Sequence, residues 1–213
     1  MSEKSWEQCK TMRVLLENIS KSFEGKLLFD NINAELIAGQ CLAVTGCNGS
    51  GKSTLLKIVA GLVRPSTGKV SCNWPDLAEY QDYQHFIGLI SPEAAMYSAL
   101  TGIENILFWT KVRGMICNEV QASEWCRYVG LAGSDREAVQ VYSTGMRQRL
   151  KLAVMLAINP RVWLLDEPTA NLDDNGRDLV EKIIDRAVCN GSAVMLATNE
   201  SREVGYASCK ISL

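Results

Sequence analysis

Gly46-Cys47-Asn48-Gly49-Ser50-Gly51-Lys52-Ser53-Thr54 decides how the rest of this chain is read. The stretch matches G-x-x-x-x-G-K-[ST] and carries a third glycine, Gly49, inside it. A triphosphate tail bears several negative charges, and a short loop that wraps it has to aim successive backbone N–H groups inward. Glycine tolerates the backbone angles and the close approach that this needs. Lys52 then sets an ammonium on the β- and γ-phosphates, Ser53 offers its hydroxyl to Mg²⁺, and Thr54 adds an adjacent phosphate or helix contact. The helix that follows points its positive end at the anion.

The flanks have the required form. Cys41-Leu42-Ala43-Val44-Thr45 is a short apolar run suited to a buried strand. Leu55, Leu56, Ile58 and Val59 give the next segment one apolar helical face, which ends near Gly61. Strand, glycine loop and helix follow one another.

At 213 residues the chain can bury one substantial core. Its 47% hydrophobic and 22% charged composition is that of a globular protein, and a net charge of -2 argues against charge-driven nucleic-acid binding. No apolar run approaches the ~18 residues of a membrane span. Residues 1–11 lack the apolar core of a secretory signal and read as a flexible extension. Eight cysteines form no C-x-x-C pair and have no histidine at zinc spacing, so most are expected to be small buried hydrophobes in a reducing compartment. Cys47, inside the loop, is the exception.

Along the chain, Val14 and Leu16, then Ile32, Ala34 and Leu36, alternate as in antiparallel strands, punctuated by Glu24-Gly25 and Ala38-Gly39. Phe23 at the end of the first strand either packs as core or offers a ring to a nucleotide base. Pro65 to Gly68 reads as a turn, and Lys69 to Cys72 and Ile87 to Ser91 as strands. From Pro92 the pattern becomes helical. Thr101 and Glu104 have capping-box spacing, and Gly114 and Gly130 close the first two helices. Ser143 opens a third, with Met146, Leu150, Ala153, Val154 and Ala157 on one apolar face and Arg147, Arg149 and Lys151 projecting elsewhere. Val162 to Glu167 is a buried strand ending in two carboxylates, where ligands of parallel sheets collect. Asp166 suits Mg²⁺, and Glu167 suits a base for an attacking water. A helix from about Asn175 to Cys189 and a strand from Ala193 to Thr198 follow.

At Tyr142-Ser143-Thr144-Gly145-Met146-Arg147-Gln148-Arg149 the chain resembles the nucleotide-binding domain of ATP-binding cassette proteins, whose L-S-G-G-Q signature lies on the helix before a strand ending in D-E. The resemblance runs from Arg13 to Leu213. It implies an α/β P-loop NTPase core with a mostly parallel sheet, an N-terminal antiparallel β subdomain and an inserted helical subdomain at 92–157, all one domain over 1–213. It assigns base stacking to Phe23, nucleotide binding to Gly46 through Thr54, Mg²⁺ to Ser53 and Asp166, and catalysis to Glu167 with Lys52. Ser143 and Gly145 would bind the γ-phosphate held by a second subunit, and Ala170-Asn171-Leu172-Asp173 would speak across the dimer. The family's switch histidine corresponds to Asn199, and its glutamine after the strand at Ile87 is replaced by Ser91-Pro92-Glu93.

The implied function is the MgATP-hydrolysing subunit of a membrane transporter, exporter-like, forming a homodimer or heterodimer. It would be cytoplasmic and held at the membrane by a separate permease, whose loops meet the helical subdomain and residues 91–99, with no direct nucleic-acid binding. A soluble ATP-driven clamp on nucleic acid or ribosome, and a degenerate nucleotide-binding partner, are the alternatives.

Overall fold

The computed structural model describes residues 12–74 and 83–213. The expected extension over 1–11, Cys9 included, and most of the polar stretch after Asn73 lie outside the described residues. The chain divides into two compact units, one built from the segments up to Leu89, Arg161–Asp166 and Ile184–Leu213, the other from Ile90–Pro160 and Glu167–Ile183.

The first unit holds two sheets. Strands β1 (Arg13–Phe23) and β2 (Lys26–Ile37) pair antiparallel, with Val14 opposite Leu36 and Leu16 opposite Ala34. The connecting Glu24 and Gly25 both have left-handed backbones, φ 49° and 79°, which matches the twist of a two-residue hairpin. Alternation buries Val14 and Leu16, and a register shift around Asn18 (φ 52°) returns Ile19 to the core. β4 (Thr67–Asn73) adds to the other side of β1.

The second sheet runs in the order β5 (Ile87–Ile90), β6 (Val162–Asp166), β7 (Ala193–Ala197), β3 (Cys41–Thr45), β8 (Cys209–Ser212). The β6–β7, β7–β3 and β3–β8 pairs are all parallel. Every residue of β6 and β7 is buried, as continuous apolar runs demand. Helix α1 (Lys52–Val59) packs against β6 and β7, has Leu55, Leu56 and Val59 buried, and ends at Gly61, φ 73°. At about 1.5–3 kcal/mol for each fully buried aliphatic side chain, this face alone outweighs the modest propensity of an eight-residue helix.

The second unit carries α2 (Gly102–Val112), α3 (Glu119–Tyr128) and α4 (Thr144–Ile158). The capping box of α2 forms as expected, with Thr101 Oγ1 accepting from Glu104 N at 3.1 Å and Glu104 Oε2 accepting from Thr101 N at 2.8 Å. A second box, Asn118 with Gln121, opens α3. Asn159 (φ 45°) closes α4 ahead of Pro160. α5 (Asp174–Cys189) begins in this unit and ends in the first, and a short α6 (Ser201–Val204), which no sequence pattern announced, precedes β8.

Three expectations need correcting. α4 is not amphipathic: Gln148 and the whole run from Leu150 to Leu156 are buried, because the helix packs against both α2 and α3. The strand expected to reach Glu167 stops at Asp166, and Glu167 turns out of it with φ 47°. Of the seven described cysteines only Cys41 and Cys126 are buried, whereas Cys47, Cys189 and Cys209 are exposed. Apolar neighbours in sequence do not bury a thiol at a strand end, a loop tip or a helix C-terminus.

Candidate functional site

In the first unit the parallel register assembles one edge. Val44 and Asp166 both stand opposite Ala197, so the carboxyl ends of β3, β6 and β7 come level. The glycine loop leaves from β3, the Asp166 carboxylate closes β6, and Asn199 follows β7. Gly46, Gly49 and Gly51 all have positive φ, 147°, 83° and 103°. A side chain at Gly46 would meet Ser50 Oγ at 2.6 Å and the Leu213 carbonyl at 2.8 Å. One at Gly51 would meet Phe29 Cδ1 at 2.7 Å and Leu28 Cδ2 at 2.8 Å. All three glycines adopt a backbone that other residues reach only under strain, and Gly51 in addition lets the loop approach β2 closely.

Lys52 is 6% exposed, and its Nζ donates to the carbonyls of Gly46 (2.8 Å) and Cys47 (3.1 Å). A cation so placed draws loop carbonyls toward itself. Ser50 Oγ is buried with no hydrogen-bond partner among the described residues. Cys47, Asn48 and Gly49 are exposed at the tip; Ser53 in the first turn of α1 is exposed and Thr54 half-buried. Asn199 Nδ2 donates to Asn48 Oδ1, tying the residue after β7 to the loop. Phe23, 51% exposed, has the Lys21 ammonium 4.6 Å from its ring centroid, and Lys21 also donates to the Arg64 carbonyl at 2.9 Å. The first unit thus brings Gly46 to Thr54, Asp166 and Asn199 to one sheet edge.

These residues fit a magnesium nucleotide. The loop supplies glycine backbone for close approach, an orphaned buried hydroxyl and a buried ammonium. Asp166 supplies a carboxylate 3% exposed. No cluster of three or more His, Cys, Asp or Glu that could hold a metal occurs among the described residues. A hard divalent cation would take Ser53 and Asp166 from the protein and its remaining oxygens from phosphate and water.

In the second unit Ser143 caps α4 by accepting from Met146 N at 3.1 Å, which leaves its own O–H free to donate. Gly145 is glycine for a steric reason: a Cβ there would lie 2.9 Å from the Asn171 carbonyl. Asn171 is itself left-handed at φ 63°. Asp173 accepts from Gly176 N at 3.0 Å and from Arg149 Nη2 at 2.7 Å. The Gly176 amide, and then Arg149, hold its carboxyl below the usual range. Thr144, Glu167 and Asn171 line a cleft of about 490 Å³ with Glu93, Gln148 and Lys151. Glu167 is exposed and left-handed, a backbone that costs a non-glycine residue roughly 1–2 kcal/mol.

Sequence reasoning missed the polar residues that hold this second unit. Asn105, fully buried on α2, accepts from Tyr97 N (2.9 Å) and donates to the carbonyls of Tyr97 (3.0 Å) and Thr101 (2.9 Å). Lys151 donates to the carbonyls of Ser91 (2.9 Å) and Pro92 (3.2 Å), and burial lowers its pKa. The signal was present as Asn105 between Ile103 and Ile106, a polar break on an apolar face.

The ABC transporter family model matches residues 29–170, about two thirds of the chain. The chain is 35% identical over 190 residues to ABC transporter I family member 1 of Arabidopsis thaliana, covering 88% of this chain and 82% of that protein. It is 34% identical over 194 residues to the cytochrome c biogenesis ATP-binding export protein CcmA of Rhizobium etli, 89% of each. The cassette MJ0796, solved as a dimer in a post-hydrolysis state bound to ADP and Pi, superposes with a TM-score of 0.80 at 25% identity, over 94% of each chain. With its phosphate loop, its parallel core and these relatives in agreement, the chain belongs to the ABC transporter family, as one of its ATP-binding cassettes.

Proposed function

We propose that this protein binds and hydrolyses MgATP as a single-domain cassette, with residues 92–157 as its helical subdomain, and powers transport through a separate permease, in the direction of export. The observation that carries the reading is the loop at the head of α1, where Lys52 lies buried on the carbonyls of Gly46 and Cys47 beside the unpartnered Ser50 hydroxyl. Phe23 stacks on the base; Gly46 to Thr54 wrap the phosphates. Ser53 and Asp166 would hold a Mg²⁺, which when bound would supply positive charge against the charge that develops on the phosphate oxygens. Glu167 takes a proton from the attacking water as that water's oxygen bonds to the γ-phosphorus and the bond to the bridging oxygen breaks. Ser143 and Gly145 close on the γ-phosphate held by a second copy or a related cassette, head to tail. The permease meets the helical subdomain and the segment 91–99. Export is supported by the likeness of Gly145-Met146-Arg147-Gln148-Arg149 to the signature of short, exporter-type cassettes and by a relative that is itself named an export protein. The protein works in the cytoplasm, at the membrane through its permease. No helix among the described residues is long and apolar enough to cross a membrane.

The test is size exclusion of Glu167→Gln with and without MgATP. The carboxamide cannot accept the water's proton, so ATP stays bound and the dimer accumulates. A mutant that stays monomeric at high protein and ATP concentration contradicts the sandwich. Calorimetric titration of Lys52→Ala completes the test. Its MgATP affinity is expected to fall by at least one charge-assisted hydrogen bond, about 1.5–3 kcal/mol, and unchanged affinity refutes the site.

A further inference from the structure

Gln148 and Lys151 are buried polar side chains one turn apart on α4 to which the nucleotide reading gives no task. Gln148, 7% exposed, donates its amide Nε2 to the Pro168 carbonyl at 2.9 Å. The residue before that proline is Glu167, whose backbone is left-handed at φ 47° and whose carbonyl accepts from Ala170 N at 3.0 Å. A residue ahead of proline is biased toward extended backbone, and a bulky residue is poorly suited to positive φ. Such a conformation persists only where its surroundings over-determine it. Two bonds supply that here: the turn from Ala170 back to Glu167, and the grip of Gln148 on the next carbonyl.

We propose that Gln148 is a positioning residue for Glu167, fixing through the Pro168 carbonyl the backbone from which the carboxylate projects into the cleft that both residues line. The inference rests on the reading of Glu167 as the base. Lys151 lines the same cleft but grips a different segment, at Ser91 and Pro92, and so serves as the comparison.

The experiment is a double-mutant cycle under single-turnover conditions with MgATP. Gln148→Met keeps the packing volume and removes the donor. Alone, it is expected to slow hydrolysis about 10- to 100-fold, the scale of a displaced catalytic group, while the Kd for MgATP stays within about twofold. In the Glu167→Gln background the same substitution adds no more than about twofold, because the carboxylate it would displace is already gone. Lys151→Met in that background retains its full separate effect. Full multiplication of Gln148→Met with Glu167→Gln, a matching loss of MgATP affinity, or equal non-additivity for Lys151→Met each overturns the assignment. If Gln148→Met does not fold, Gln148→Asn, which keeps an amide but withdraws the donor by one methylene, carries the same comparison. A wild-type protein whose hydrolysis Glu167→Gln does not lower overturns the reading of Glu167 and this proposal with it. A normal Glu167→Gln effect with multiplicative Gln148→Met overturns the proposal alone.

Discussion

The family resemblance sets Asn199 in the place of a histidine, and its amide donates to the Asn48 side chain of the phosphate loop. An amide can donate a neutral hydrogen bond toward a γ-phosphate, but it carries no positive charge and moves no proton. Exchanging a charge-assisted bond for a neutral one is worth about 1–2 kcal/mol, or about 5- to 30-fold in rate. Asn199→His is therefore expected to raise kcat several-fold with little change in KM, read in one steady-state comparison. A histidine variant no faster than the parent would mean that the Asn48 contact, and not a phosphate contact, is what residue 199 supplies. The loop glycines illustrate what single residues disclosed in advance. The positive-φ backbones of Gly46 and Gly51 were legible from the motif, whereas their contacts with Leu213 and with Phe29 and Leu28 depend on chain segments far away in sequence.

Short elements owe their ends to local chemistry, and here the sequence was readable. Thr101 and Glu104 announced the start of α2, and both bonds of the box are present. Thr101→Ala removes the acceptor for Glu104 N and is expected to lower stability by about 1 kcal/mol in a denaturant melt. Thr101→Ser, which retains a hydroxyl, is expected to lose little. The α4 face was misread because periodicity reports burial only when one side of a helix meets solvent. Lys151 and Gln148 look like surface residues until they are seen to donate to the carbonyls of Ser91, Pro92 and Pro168. The β strands were legible where alternation or a continuous apolar run marks them. The bulge at Asn18 and the turn at Glu167 were not, since each is set by the partner that the segment meets.

For the molecule as a whole, two buried thiols tie stability to alkaline pH. Burial, then Cys209 and Asp185, push the Cys41 thiol up to about 12, and burial with Asp135 does the same for Cys126. Unfolding returns both to an ordinary value near 9.0. Between those values the unfolded chain binds fewer protons than the folded one, so stability falls as pH rises from about 9 toward 12. Melts of the wild type and of Cys41→Ala at pH 7.5 and 9.5 are expected to show a smaller alkaline loss in the variant. The sheet order carries one more consequence. β3, the strand that launches the phosphate loop, lies between β7 and β8, and those neighbours are separated from it by roughly 150 residues or more of chain. On the ribosome, at roughly 5–20 residues per second, β3 emerges many seconds before either flank exists. It then offers two unpaired backbone edges and four side chains destined for the core, Cys41 to Val44, to anything nearby. The strand that launches the phosphate loop thus waits unshielded while the intervening chain is made, and both strands that cover its edges are synthesised roughly 150 residues or more after it.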